Sequence, residues 1–146
     1  MEKPVDDFLT EAEQEQVIAA IKEAELKTSG EIRVHIERHH DDEPYVRATE
    51  LFGKLGMHQT AQRNGVLIYV ATEDHRFAII GDEGIDAVTP DDFWESTKNA
   101  MQELFRVGRF ADGLVAGIMS VGTELVHHFP YQDDDENELS DEISTS

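Results

Sequence analysis

This 146-residue sequence predicts an α/β fold, a mixed sheet covered by helices on both faces. Three observations carry that expectation. Helix-patterned and strand-patterned stretches follow one another as helix, strand, helix, strand, strand, helix, helix. The stretch Val66-Leu67-Ile68-Tyr69-Val70-Ala71 is apolar on both faces, as a central strand between two helical layers must be. A helix separates the first two strands, which makes them parallel through a crossover. Only a short turn separates the second from the third, which makes those two antiparallel.

The elements follow in order. Thr10-Glu11-Ala12-Glu13 is a capping-box pattern, and Val17, Ile18, Ile21 and Ala24 continue it as one helical face, with Gly30 as the expected stop. Glu31-Ile32-Arg33-Val34-His35-Ile36-Glu37 alternates polar and apolar residues, the pattern of a strand with one buried face. A polar loop from His39 to Pro44 leads into a second helix with Ala48, Leu51, Phe52 and Leu55 on one side and Gly56 after it. Arg63-Asn64-Gly65 launches the central strand, Thr72-Glu73-Asp74-His75 reads as a hairpin turn, and Arg76 to Gly81 is the returning strand. In Thr89-Pro90-Asp91-Asp92 the threonine is expected to cap a helix, with proline in its first position and two acids facing the dipole. That helix presents Trp94, Met101, Leu104 and Phe105, and Gly108 breaks it. The last helix carries Leu114, Val115, Ile118, Val121, Leu125 and Val126. No internal repeat is present. Residues 1–129 are expected to form a single domain, ended by Pro130. Residues 130–146 are expected to be a disordered acidic tail, because Asp133, Asp134, Asp135, Glu136, Glu138, Asp141 and Glu142 leave too little apolar content to fold.

Charge narrows the function classes. The chain has 32 acidic and 12 basic residues, a formal net charge of -20. Phosphate backbones and anionic membrane surfaces would be repelled, so nucleic acid is excluded as a partner, and divalent cations or basic proteins are the natural counter-charges. With no cysteine, disulfides, thiolate metal sites and cysteine nucleophiles are excluded. The N-terminus shows no basic-then-apolar signal pattern, and no stretch approaches the roughly 20 apolar residues of a membrane span. A cytoplasmic protein without direct membrane insertion is the expectation. There is no Gly-x-x-x-x-Gly-Lys-Ser/Thr phosphate loop and no Gly-x-Ser-x-Gly elbow.

The expected topology gathers acids at one end of the sheet: the starts of the first two strands and the end of the third. Ser29, Glu31, Arg63, Asn64, Asp82 and Glu83 fall there, with Asp86, Asp91 and Asp92 a few residues on. Oxygen ligands from several loops, with Gly81 and Gly84 letting the backbone approach, suit calcium or magnesium, and manganese is compatible. Against this stands a plainer reading of Gly81-Asp82-Glu83-Gly84 as an acidic turn. Asp91 and Asp92 also have a helix-start explanation. Arg33 and Arg63 are phosphate-clamp candidates, although Arg33 equally suits pairing with acids on neighbouring strands. The opposite end of the sheet offers a rival: His39, His40, Asp41, Asp42 and Glu43 with Glu73, Asp74 and His75, a donor set for zinc or manganese, with a solvated loop as the plainer reading. His127 and His128 read as surface residues at a helix C-terminus.

Ser29-Gly30-Glu31-Ile32-Arg33-Val34, Arg63-Asn64-Gly65-Val66-Leu67-Ile68 and Arg76-Phe77-Ala78-Ile79-Ile80-Gly81-Asp82-Glu83-Gly84-Ile85 resemble the TPM-domain family. Phe105, Gly108, Phe110 and Gly113-Leu114 through Gly117 resemble its closing pattern. The resemblance covers about residues 8–129. It implies a three-layer α/β/α sandwich with a Rossmann-like sheet and divalent-metal binding, often of calcium, at an acidic cleft. Phosphatase or nucleotide-hydrolysing activity has been ascribed to some members, so a phosphate ester or nucleotide is the implied substrate class. The family includes thylakoid-lumen proteins linked to photosystem II repair and many bacterial envelope proteins. Carried over by position, Glu31, Asn64, Asp82 and the acid at Asp91 or Asp92 are the implied metal residues. Two departures stand out. Many members have a signal peptide and a membrane anchor, and many have an apolar or aromatic residue where this chain has Asp82-Glu83. Two functional expectations follow: a divalent-cation-binding domain with weak metal-dependent phosphatase or nucleotidase activity, or a non-catalytic assembly module for an envelope complex, with a protein partner and a structural calcium ion.

Overall fold

A computed structural model describes residues 8–131 and 143–145. The expected element order is present. Helix α1 spans Glu11–Glu25, strand β1 Glu31–Glu37, helix α2 Pro44–Lys54 and strand β2 Gly65–Ala71. Strand β3 spans Arg76–Gly81, helix α3 Glu83–Asp86, helix α4 Asp91–Arg106, helix α5 Phe110–His128 and strand β4 Ser144–Thr145. Sheet order is β3-β2-β1-β4. β1 and β2 are parallel, with Glu31 opposite Gly65, and β3 is antiparallel to β2, with Gly81 opposite Val66.

The two faces of the sheet hold two cores. Ile32, Val34, Ile36, Val66, Ile68 and Val70 face α1, α4 and α5. Leu67, Tyr69, Ala71 and Ala78 face α2 and Met57. This is the expected sandwich with helices on both faces. Helix α5 is the centre of its layer because it carries small residues where its neighbours cross: Gly117 sits under Met101 of α4, and Gly122 under Ala24 of α1. Among the described residues, no helix is long and apolar enough to cross a membrane.

Several local expectations are corrected. β1 is buried on both faces, not one: on its polar side Arg47 covers Glu37, and Tyr69 and Ser144 flank His35. Gly30 does not cap α1: it lies beneath Leu125, whose Cδ2 would stand 2.7 Å from a Cβ there. Thr89 does not cap α4. Its hydroxyl donates to Ile85 O at 2.8 Å, and Pro90 holds the N-cap position without a side-chain bond. Pro130 does not end the fold: Tyr131 N–H donates to Lys27 O at 3.0 Å. Nor is the whole tail free of structure, since Ser144 and Thr145 pair in parallel with His35 and Ile36 while Ile143 packs against the core. An open sheet edge and one apolar side chain outweigh the acidic composition there. The expectation of disorder for residues 132–142 falls outside the described residues.

Burial on the α2 side leaves His35 2 % exposed, with Nδ1 3.0 Å from Ser144 Oγ. Desolvation lowers its pKa to about 4, with Glu37 opposing and Arg47 and Arg33 reinforcing the shift. The unfolded imidazole gains a proton near pH 6.5 and the folded one only near 4. His35 therefore contributes stability above pH 6.5 that is lost as pH falls through that window. Urea unfolding at pH 7 and pH 5 should show wild-type protein losing on the order of 1 kcal/mol or more relative to His35→Phe. Equal losses in the two proteins would refute this.

Candidate functional site

Residues brought together by the topology lie where β1 and β2 begin and β3 ends. Glu31 opens β1, Asn64 precedes β2, and Asp82 follows β3; they are 2 %, 0 % and 4 % exposed. The backbone holds them side by side: Asp82 N–H donates to Gly65 O at 2.9 Å, and Glu31 N–H to Asn64 O at 3.5 Å. Asn64 donates from Nδ2 to Ser29 Oγ at 3.2 Å, and its N–H reaches Thr60 Oγ1 at 3.2 Å. Its Oδ1 is buried and accepts no hydrogen bond from a described residue.

Asp82 is the hub. Arg63, in a left-handed backbone conformation with φ 52°, donates from Nε to Asp82 Oδ2 at 2.8 Å and from Nη2 to Oδ1 at 3.0 Å. The Glu83 N–H donates to Oδ1 at 2.8 Å, so Asp82 also caps the single turn of α3. His58 Nδ1 stands 3.1 Å from Asp82 Oδ1 and 3.0 Å from Arg63 Nη2. Neutral, that nitrogen accepts from the guanidinium; protonated, it donates to the carboxylate. Burial pushes the Asp82 carboxyl up, but Arg63, the Glu83 N–H and His58 outweigh it and hold the pKa below the ordinary carboxylate value. The same bond raises Arg63.

The glycines of Gly81-Asp82-Glu83-Gly84 are there for close approach rather than for a cation loop. Neither has a positive φ. A Cβ on Gly81 would lie 2.9 Å from the Trp94 ring. A Cβ on Gly84 would collide with the carbonyl oxygens of Gln62 and Arg63, and Gly84 N–H donates to Arg63 O at 2.7 Å.

Other expected site residues are dispersed. Glu83 is exposed and pairs with Arg63 Nη1 at 3.2 Å. Asp86 lies on the exposed side of α3, and Asp91 and Asp92 are exposed in the first turn of α4. Asp86 is tied to Asp82 through the backbone of α3, its N–H donating to Asp82 O at 2.9 Å. Arg33 lies in the middle of β1, while Arg63 is committed to two carboxylates. At the opposite end of the sheet, His39 sits between Asp74 Oδ1 at 2.6 Å and Asp41 Oδ1 at 2.9 Å. Asp74 first, then Asp41, raise its pKa. Among the described residues, no group of three or more His, Asp or Glu side chains is arranged to hold a metal ion.

Two networks escaped the sequence reading. His58 carries no motif and joins Asp82 only through the turn Met57–Gln59. On the α2 side, Arg47 forks onto Glu37 at 2.9 and 3.0 Å, and Tyr69 Oη donates to the same carboxylate.

A family model, the TPM domain, matches residues 5–124. The chain belongs to the TPM-domain family. Among solved TPM-like structures, the BA42 protein of the psychrophilic bacterium Bizionia argentinensis is 46 % identical over 97 % of this chain and 98 % of that one, with a TM-score of 0.91. More distant in sequence are the N-terminal domains of two other proteins. The one from Corynebacterium glutamicum is 18 % identical over 80 % of this chain and 74 % of that one, TM-score 0.64. The one from P. gingivalis is 20 % identical over 86 % and 83 %, TM-score 0.68. These two speak for the fold alone. No curated protein matches the chain.

Proposed function

We propose that this TPM domain is a divalent-cation-binding module, with the cation taken at the end of the sheet where Glu31, Asn64 and Asp82 meet. The observation that carries this is the buried Oδ1 of Asn64, an oxygen without a hydrogen bond from any described residue, at the same sheet end as the buried residues Glu31 and Asp82. An unsatisfied buried carbonyl costs about 1–3 kcal/mol, and hard cations such as calcium or magnesium are coordinated by amide and carboxylate oxygens. The donor chemistry fits. The side chains available are one amide and two carboxylates, so water completes the set, and Asp82 must loosen its fork with Arg63 to join.

A second reading, weak hydrolysis of a phosphate ester or nucleotide, draws on the family model's label, which names a phosphatase. Its specific support is Arg63. That side chain is 38 % exposed at the mouth of the site, and once released from Asp82 it would present a bidentate donor to phosphate. When bound, the cation would offset repulsion between the carboxylates and polarise a phosphoryl oxygen.

Thermal melting of chelator-treated protein, titrated with calcium, magnesium and manganese, tests both. A specific site gives a saturating rise with one ion of roughly 5–10 °C at about a hundredfold excess over Kd, absent in Asn64→Leu and Asp82→Asn. A small equal rise with all three ions, kept in both variants, would mean charge screening and would sink the cation reading. Turnover of p-nitrophenyl phosphate no faster than background at saturating ion would remove the hydrolytic reading and leave the binding one.

A further inference from the structure

The sheet stops at β3. No described residue hydrogen-bonds to its outer edge. The register determines which groups are left there. Because Asp82 donates to Gly65 O, Gly81 and Val66 form a non-hydrogen-bonded pair. Ladder alternation then turns Ala78 and Ile80 toward β2, and directs the N–H and C=O of Phe77, Ile79 and Gly81 away from the sheet.

The two helical layers overhang this edge and make it the floor of a cleft of about 620 Å³. One bank is the start of α2, with Glu43 and the exposed Tyr45. The other is α4, with Asp91, Trp94, Glu95 and Lys98. Proteins normally guard a flat edge with proline, a bulge or lysines, whereas β3 has only Arg76 at its start. Three exposed carboxylates stand on the banks against one ammonium, and Lys98 lies over the Phe77 ring at 5.8 Å from its centroid. Unpaired strand groups between hydrophobic walls with acidic rims suit an extended basic peptide.

We propose that the outer edge of β3 is a docking site for an extended, lysine- or arginine-bearing segment of a partner protein. The segment adds as a further strand on Phe77 and Ile79 and sets its basic side chains against Glu43, Asp91 and Glu95. The proposal is independent of the cation reading, since these residues lie outside the Glu31–Asn64–Asp82 group.

The test is an NMR titration of the full chain with the capped hexapeptide Lys-Lys-Val-Lys-Lys-Val, whose lysines fall on both faces of an added strand. Saturable shifts are expected over Arg76–Gly81, with hydrogen exchange at the Phe77 and Ile79 amides slowed at least tenfold. A Glu43→Gln/Glu95→Gln variant should bind at least threefold more weakly. The same peptide N-methylated at every residue keeps its charge but cannot donate to the edge, and should not bind. Equal binding of the methylated peptide, no binding of the parent, or shifts confined to other segments would overturn the proposal. So would prior protection of Phe77 and Ile79 that grows with protein concentration, which would mean that a second copy covers the edge.

Discussion

Alanine at Gly84 is expected to cost about 3 kcal/mol of stability and lower the melting temperature by roughly 10 °C. The obstacle is backbone. The added Cβ would lie 2.5 Å from Arg63 O, with Gln62 O also in the way. A flexible side chain could turn aside, but these carbonyls belong to the segment that leads into β2 and takes the Gly84 N–H bond. Relief must push α3 away from that segment, and Asp82, the cap of α3, would move off the Arg63 fork. Gly53→Ala is the internal control. Nothing lies within 4 Å of a Cβ there, and the site is inside α2. It should be neutral or stabilising by about 0.5–1 kcal/mol. Thermal unfolding of both variants by circular dichroism decides the matter; similar melting temperatures would show that α3 adjusts freely.

Arg47→Met is expected to cost about 3–5 kcal/mol at pH 7, because it strands Glu37 as a buried charge. The Glu37 side chain is 6 % exposed and the Arg47 side chain 12 %. Both guanidinium bonds to Glu37 vanish in the variant, while the Tyr69 hydroxyl stays on the carboxylate. Burial, then the bond to Glu37, raise the Tyr69 pKa, so the phenol stays protonated and keeps donating. Adding Glu37→Leu removes the stranded charge and should recover most of the loss. Urea unfolding at pH 7 gives both numbers. A loss under about 1 kcal/mol for Arg47→Met would show that water reaches Glu37.

These two variants mark where the sequence could be read and where it could not. Helix and strand order, the parallel and antiparallel pairings, and the meeting of Glu31, Asn64 and Asp82 at one sheet end all follow from periodicity and connection length. Those are local quantities that no distant contact overrides. The short helix α3 did not follow. Gly81-Asp82-Glu83-Gly84 carries turn-forming residues, and in the sequence its glycines read as letting the backbone approach a cation. The Trp94 ring and the Gln62 and Arg63 carbonyls that require them come from distant segments. His58 was invisible for the same reason: its place beside Asp82 depends on a turn without a motif.

The amino-acid sequence alone determined the family, the layered α/β architecture and the strongly acidic surface, since composition, periodicity and motif order are properties of the chain itself. Tertiary structure alone decided which of the acids are buried, which cation holds Glu37 and which holds Asp82, and which sheet edge stays open. Burial and ion pairing depend on what the other segments place within a few ångströms. For Asp82, that neighbour is Arg63, 19 positions away in the chain.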